Sequence, residues 1–483
     1  MNLYIENHIY HYEMENLLRA FFPFEKINVI KEWETFEPPY VLTSYGDDIS
    51  VTIDIDGNCD TLNIEKVNND EFDELRMAQL MYELLCKKLD CYLPWGVLTG
   101  VRPIKLFRKF VEAMGEENAE KYFLEEFRVS KKKLNLAKIT EKAEQKILSL
   151  SQKDSFSLYI SIPFCPSRCN YCSFVSQSIE KAKHLIGDYV ELLCEEIRAT
   201  ADIAKKLNLR LESVYMGGGT PTTLSAMQMD KVLSTVNDNF DMSTCREFTV
   251  EAGRPDTITK DKLLAIKKNG VNRISINPQT LNDEVLSIIG RKHSAQDAID
   301  AFNLARECGF DNINMDLIAG LTGDSYESFV NTLDKVRALS PESITIHTLS
   351  LKRSSNLNTE NISVDIGIKN ETTKMLEYSQ EKLLLDGFIP YYLYRQSRMA
   401  GNLENVGWSK SGCESLYNVF IMDETHTILA CGAGAVTKLK DFSSSKLERI
   451  FNFKFPYEYN TRFNEMIERK SGVIEFYKEY FKC

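Results

Sequence analysis

From about residue 155 the chain alternates short apolar runs with helix-patterned stretches, and this rhythm limits its fold more than any other feature. The strand-like runs are SLYISI (157–162), SVYMG (213–217), EFTVEA (247–252), RISINP (273–278), NINMDLIAG (312–320) and SITIHTLSL (343–351). Helix-like segments lie between them at 180–207, 224–237, 259–269, 282–308 and 325–339. Strand and helix taking turns predict right-handed βαβ units and a parallel sheet. The expected class is α/β, a partial (β/α)6 TIM-like barrel flanked by an N-terminal α+β domain and a C-terminal domain. In such barrels chemistry gathers at the C-terminal ends of the strands.

The flanks read differently. In residues 1–90 the run DDISVTIDIDG (47–57) alternates as a half-buried strand ending in a turn, and 71–89 has helical spacing. A Gly/Pro-punctuated segment, LPWGVLTGVRPIKLF (93–107), leads into a helix, and the Lys-rich stretch 129–150 reads as a connecting helix. After 370 come a helix to about Gly387, a Tyr-rich strand at 391–395 and a less regular tail. The expected domains are therefore 1–150, 151–369 and 370–483.

The formal net charge of -12 and a pI near 5.3 argue against general nucleic-acid binding, which leans on a basic face. The first residues show no basic segment followed by an apolar one, and no run of about 18 apolar residues occurs. A cytoplasmic protein is expected, with no membrane span and with its 12 cysteines mostly reduced.

Three of those cysteines share one short window. Cys165, Cys169 and Cys172 form CxxxCxxC within YISIPFCPSRCNYCSF (159–174). A structural zinc site takes four closed ligands. Three thiolates on a tight loop suit a [4Fe-4S] cluster with one iron left open, so the residues themselves point to redox chemistry. VYMGGGTPTTL (214–224) puts three glycines directly after a strand. They allow a tight turn or a close backbone approach to a ligand, but lack the lysine of a phosphate loop.

Together CPSRCNYC, with Tyr171 before the last cysteine, and GGGTP resemble the signatures of the radical S-adenosylmethionine (SAM) superfamily. With EAGRPDTIT (251–259), RISINPQTLNDEVLSIIGRKHS (273–294) and INMDLIAGLTGDS (313–325), the chain is similar to the oxygen-independent coproporphyrinogen III oxidase family. LPWGVLTGVRPIKLF and the stretch 387–439 resemble its coproporphyrinogen dehydrogenase-like branch called HemZ.

The resemblance implies that Cys165, Cys169 and Cys172 hold a [4Fe-4S] cluster. It implies SAM contacts for Tyr159, Tyr171, Gly218, Gly219, Thr220, Glu251, Gln279, Arg291, Asp316 and Ser350; a second SAM molecule lies beside the first in that family. The plain alternatives are a helix cap for Asp316 and a solvated charge for Arg291. A low-potential donor, ferredoxin or flavodoxin, is implied as partner. The implied reaction is hydrogen abstraction from a propionate β-carbon, then loss of CO2 and an electron to give a vinyl group. Two such rounds convert coproporphyrinogen III to protoporphyrinogen IX, with no catalytic side chain assigned beyond the cluster and SAM.

A tetrapyrrole carrying carboxylates calls for basic groups, and Arg102, Lys105, Arg395 and Arg398 are the candidates. His293 and His347, at element ends, are candidates to face substrate. Classical coproporphyrinogen oxidases of the family carry a further cysteine immediately after the cluster loop, in a CxC arrangement, where this chain has Ser173 in the CxF form CSF. The same form is typical of relatives that resemble haem chaperones. A haem-binding carrier with the same cofactors, or a radical enzyme on another tetrapyrrole, therefore stands beside the oxidase.

Overall fold

A computed structural model of the chain describes residues 1–23, 25–55, 57–172, 176–350, 366–396 and 402–481. Ser173 and Arg398 lie outside the described residues. Contacts group the chain into two compact units. One comprises Met1–Lys142, His347–Glu381 and Leu393–Val406; the other comprises Ala143–Ile346, Lys382–Tyr392 and Gly407–Cys483. The three-part division at 150 and 369 stays a proposal.

The first unit contains a five-stranded sheet. Its strands are β1 (Asn2–Glu6), β2 (Asn28–Ile30), β3 (Tyr40–Tyr45), β4 (Asp48–Ile55) and β5 (Asn58–Glu65), in the order β2-β1-β3-β4-β5. β1 runs parallel to β2 and β3, and β3–β4–β5 form an antiparallel meander. The alternation in β4 buries Ile49, Val51 and Ile53 on one face, where Met77, Met81 and Leu85 of helix Asp70–Leu89 meet the same core. Asn69 caps that helix by accepting from the Phe72 amide, and three acids in its first turn favour the positive end of the helix dipole.

The second unit is built on β6 (Ser155–Ile162), a short β7 (Phe164–Cys165) paired with β8 (Gln177–Ser178), β9 (Arg210–Gly218), β10 (Glu247–Glu251), β11 (Arg273–Gln279), β12 (Ile313–Ala319) and β13 (Ser343–Thr348). With β14 (Ile389–Tyr394), β15 (Asn405–Ser409), β16 (Thr427–Cys431), β17 (Val436–Lys440) and β18 (Leu447–Phe451), the main sheet runs β14-β15-β13-β12-β11-β10-β9-β6-β16-β17-β18. From β6 to β12 every neighbouring pair is parallel. This is the α/β partial-barrel class that the rhythm of apolar runs predicts. β6 and β9 are buried almost throughout, as strands covered on both faces must be.

β16 adds to β6 in parallel, and β17 and β18 continue antiparallel. The GAGA turn at 432–435 links β16 to β17. Gly432 takes φ +98°, and a Cβ there would lie 2.5 Å from the Ser161 carbonyl, so the turn passes close against the backbone of β6.

One expected element differs. The segment 282–308 is two helices, Asp283–Ile288 and Ala295–Glu307, not one. Gly290 at φ +79° ends the first, and the reciprocal Ser294–Asp297 capping box starts the second. Arg291 and His293 lie in the break.

Candidate functional site

The cysteine loop leaves the C-terminal end of β6. Its backbone is tied on both sides: Gly219 and Thr220 amides donate to the Ile162 and Phe164 carbonyls at 2.7 and 2.8 Å. The Asn170 amide donates to the Ile289 carbonyl at 3.0 Å, and its side chain to the Ile288 carbonyl at 2.9 Å. The loop is thus clamped between the glycine run after β9 and the helix end that precedes Arg291.

The glycines have separate tasks. A Cβ on Gly219 would meet the Phe164 carbonyl at 2.6 Å, and one on Gly217 would meet the Glu251 side chain at 3.0 Å. Gly218 takes φ +109°, a region closed to most side chains.

Donors converge on the sulfurs. Thr220 Oγ1 donates to Cys165 Sγ at 3.5 Å, and Arg254 Nη1 donates to Cys169 Sγ at 3.6 Å. Arg254 also binds the Ser167 carbonyl and hydroxyl, and its Nε lies 2.9 Å from Asp256 Oδ1. Burial works against the Asp256 charge, yet the hydrogen bond and charge of Arg254 hold its carboxyl below the ordinary range. Sequence reasoning missed Arg254; its place just after β10, in the quoted EAGRPDTIT, was the available signal.

Tyr171 is fixed by Arg291, whose Nη2 donates to the tyrosine oxygen at 3.0 Å while Nη1 serves the Gly253 and Asn277 carbonyls. Arg291 is therefore not a solvated charge. Burial pushes the Tyr171 hydroxyl well above its usual range, with Arg291 pulling the other way. Beside this lies buried His293, drawn down to about 4 by burial and by Arg291, with Asp256 3.8 Å away.

Further strand ends complete the surround. Glu251, closing β10, accepts from the Tyr215 hydroxyl at 2.6 Å. Tyr215 stacks on Tyr417 at 4.5 Å between centroids, and Tyr417 on Tyr159 at 6.0 Å. This three-ring stack was also missed, because Tyr417 comes from helix Leu416–Asp423, far along the chain. Gln279, at the end of β11, is buried with φ +70°, where the register against β12 shifts. Asp316 on β12 accepts from Asn314 at 2.7 Å, and it is Ser325 that caps the following helix. Ser350 belongs to the first unit.

Of the histidines, His426 is a packing residue. It is buried, with Ser151 and Ser157 hydroxyls 2.7 and 2.9 Å from its two ring nitrogens.

Among the described residues no group of three or more His, Cys, Asp or Glu converges on a single metal ion. A cluster that distributes its cysteines over separate irons asks for spaced thiolates instead, and donors to those sulfurs fit a charged cluster. A model of the radical SAM superfamily matches residues 159–336. The oxygen-independent coproporphyrinogen-III oxidase-like protein HemZ of Bacillus subtilis (strain 168) is 39% identical over 385 residues, covering 79% of this chain and 77% of HemZ. The chain belongs to the radical SAM family that includes HemZ. This HemZ-related chain is also 37% identical over 194 residues to the heme chaperone HemW of the same organism, covering 40% of this chain and 50% of HemW. Its fold matches that of coproporphyrinogen III oxidase (HemN) from Escherichia coli, with a TM-score of 0.53 at 22% identity over 68% of this chain and 73% of that one. Family membership implies a [4Fe-4S] cluster and SAM. No helix among the described residues is long and apolar enough to cross a membrane.

Proposed function

We propose that the chain is an oxygen-independent coproporphyrinogen III dehydrogenase-like enzyme that oxidatively decarboxylates propionate side chains. The observation that carries this is the convergence of Thr220 and Arg254 on the sulfurs of Cys165 and Cys169, in a unit whose β10 and β11 end on Glu251 and Gln279 and whose β12 bears Asp316. The similarity to HemZ supports the tetrapyrrole substrate.

When bound, the cluster and SAM supply one-electron reduction ending in hydrogen-atom abstraction from an unactivated carbon. The chain's own residues hold and shield. Cys165, Cys169 and Cys172 ligate; Thr220 and Arg254 spread the charge on the sulfurs. The glycines at 217–219 let backbone approach the methionine end of SAM. Glu251 and Asp316 offer carboxylate oxygens to ribose hydroxyls. Arg291 is a positioning residue that fixes Tyr171, because its two terminal nitrogens are engaged within the protein. The stacked Tyr159, Tyr417 and Tyr215 exclude water from the space beside Glu251.

The CSF form at 172–174, in place of the CxC of classical oxidases, and the similarity to HemW favour a second reading, a haem-binding carrier with the same cofactors. One anaerobic assay separates them: incubation of the loaded protein with coproporphyrinogen III, SAM and a low-potential reductant, followed by product mass. A product lighter by two molecules of CO2 and four hydrogen atoms, two vinyl groups replacing two propionates, is expected. Stable haem binding without that product establishes the carrier instead.

A further inference from the structure

We infer that Asp256 is a positioning residue for the iron-sulfur site: it aims the Arg254 guanidinium at Cys169 and so sets how readily the cluster accepts an electron. The inference rests on the reading of Cys169 as a cluster ligand, and concerns what fixes the donor to that sulfur.

Arg254 is 3% exposed. Its side chain carries several rotatable bonds, so burial alone does not select which nitrogen meets which neighbour. Asp256 makes that selection. Nε donates to Oδ1 and Nη2 to Oδ2, both at 2.9 Å. A carboxylate that takes both nitrogens of one edge locks the plane of the guanidinium. Nη1 is left outside this fork, and its acceptors are Cys169 Sγ at 3.6 Å and the Ser167 carbonyl at 3.4 Å. Nη2 also donates to the Ser167 hydroxyl at 3.2 Å. One rigid group therefore ties Asp256 to two residues of the cysteine loop.

The backbone of Asp256 is held as firmly. Pro255–Thr257 is a single 3-10 turn. Thr257 donates its amide and its hydroxyl to the Arg254 carbonyl at 2.9 and 2.8 Å. The Thr257 and Thr222 hydroxyls lie 2.6 Å apart, and Lys262 Nζ donates to the Thr222 and Thr257 carbonyls at 2.6 and 2.9 Å. Thr222 sits in the turn after Thr220, the donor to Cys165. The turn bearing Asp256 is thus pinned to the loop that follows the glycine run. His293 Nδ1, 3.8 Å from Asp256 Oδ1, is beyond hydrogen-bond range and does not compete for the carboxylate. Reduction adds negative charge to a cluster, and a donor held against a ligating sulfur favours that state. A donor free to turn away favours it less.

The test is a double-mutant cycle read on the midpoint potential of the full-length, cluster-loaded protein: wild type, Asp256→Asn, Arg254→Ala and the double variant. Removing the Asp256 charge acts directly on the cluster in both Arg254 backgrounds, and that part cancels in the cycle. The remainder is what passes through Arg254. Relative to its effect in the Arg254→Ala background, Asp256→Asn is expected to disfavour reduction by about threefold or more when Arg254 is present. Equal shifts in the two backgrounds, or a coupling of opposite sign, overturn the inference. A loss of thermal stability with no such coupling marks a structural ion pair and overturns it as well. Where a variant takes up no cluster, Asp256→Glu, which keeps the charge and moves the carboxylate, or Arg254→Gln replaces it in the cycle with the same expected sign. Cys169→Ala that loads a [4Fe-4S] cluster as wild type does rejects the ligand assignment and the inference with it, whereas equal shifts in proteins that need Cys169 for loading reject only the role of Asp256.

Discussion

Arg254 Nη1 donates to the sulfur of Cys169 at 3.6 Å, from a guanidinium that is itself buried and paired with Asp256. It ties the middle cysteine of the loop to the end of β10. A donor to a ligating sulfur stabilises the more negative, reduced cluster and raises its potential. Arg254→Ala is expected to lower the midpoint by on the order of tens of millivolts, the scale of one charged hydrogen bond. A redox titration of the loaded variant checks this, and an unchanged midpoint removes Arg254 from the site.

Cys169→Ala should abolish iron loading and SAM cleavage together. Normal 5′-deoxyadenosine production by that variant would sink the cluster assignment.

Gly219→Ala tests the packing of the glycine run. Its Cβ would sit 2.6 Å from the Phe164 carbonyl, a backbone atom that cannot swing away. Overpacking of this kind costs about 1–3 kcal/mol, read by chemical denaturation, and SAM affinity should fall with it. Wild-type stability and affinity would show that the loop yields.

His426 gives a pH signature. Burial draws it from 6.5 to about 3. Between those values the unfolded chain binds a proton that the folded chain refuses. Its contribution is therefore intact above about 6.5 and is lost as pH falls toward 3, at about 1.4 kcal/mol per pH unit. In His426→Gln the slope of unfolding free energy between pH 6 and 4 should be shallower by one proton. Equal slopes would mean that the histidine takes up its proton inside the fold.

Glu404 holds Lys133 and Trp95 together in the first unit, and pair members are 1% and 2% exposed in their side chains. Glu404→Ala leaves the buried Lys133 without its counter-charge, and should cost about 3–5 kcal/mol in urea unfolding. A change within experimental scatter would indicate that water reaches the pair.

Much of the barrel was legible because strands covered on both faces must be apolar along their length. β6, β9, β11 and β12 stand out for that reason. The helix break at 289–294 was not legible, since the apolar spacing runs on through it; only the local turn at Gly290 and the Ser294 cap end one helix and start another. The same break is what carries Arg291 to Tyr171.

By itself the sequence determined the strand-helix alternation, the three-cysteine loop, the glycine run and the family, because these depend on neighbours within a short stretch of chain. Only the tertiary structure decided that Arg254 meets Cys169 and that Tyr417 joins Tyr215 and Tyr159 in one cluster of three stacked rings. Those contacts join positions tens to hundreds of residues apart. They exist only once strand order brings β6, β9 and β10 side by side, and once burial strips water from charges that the chain alone would leave solvated.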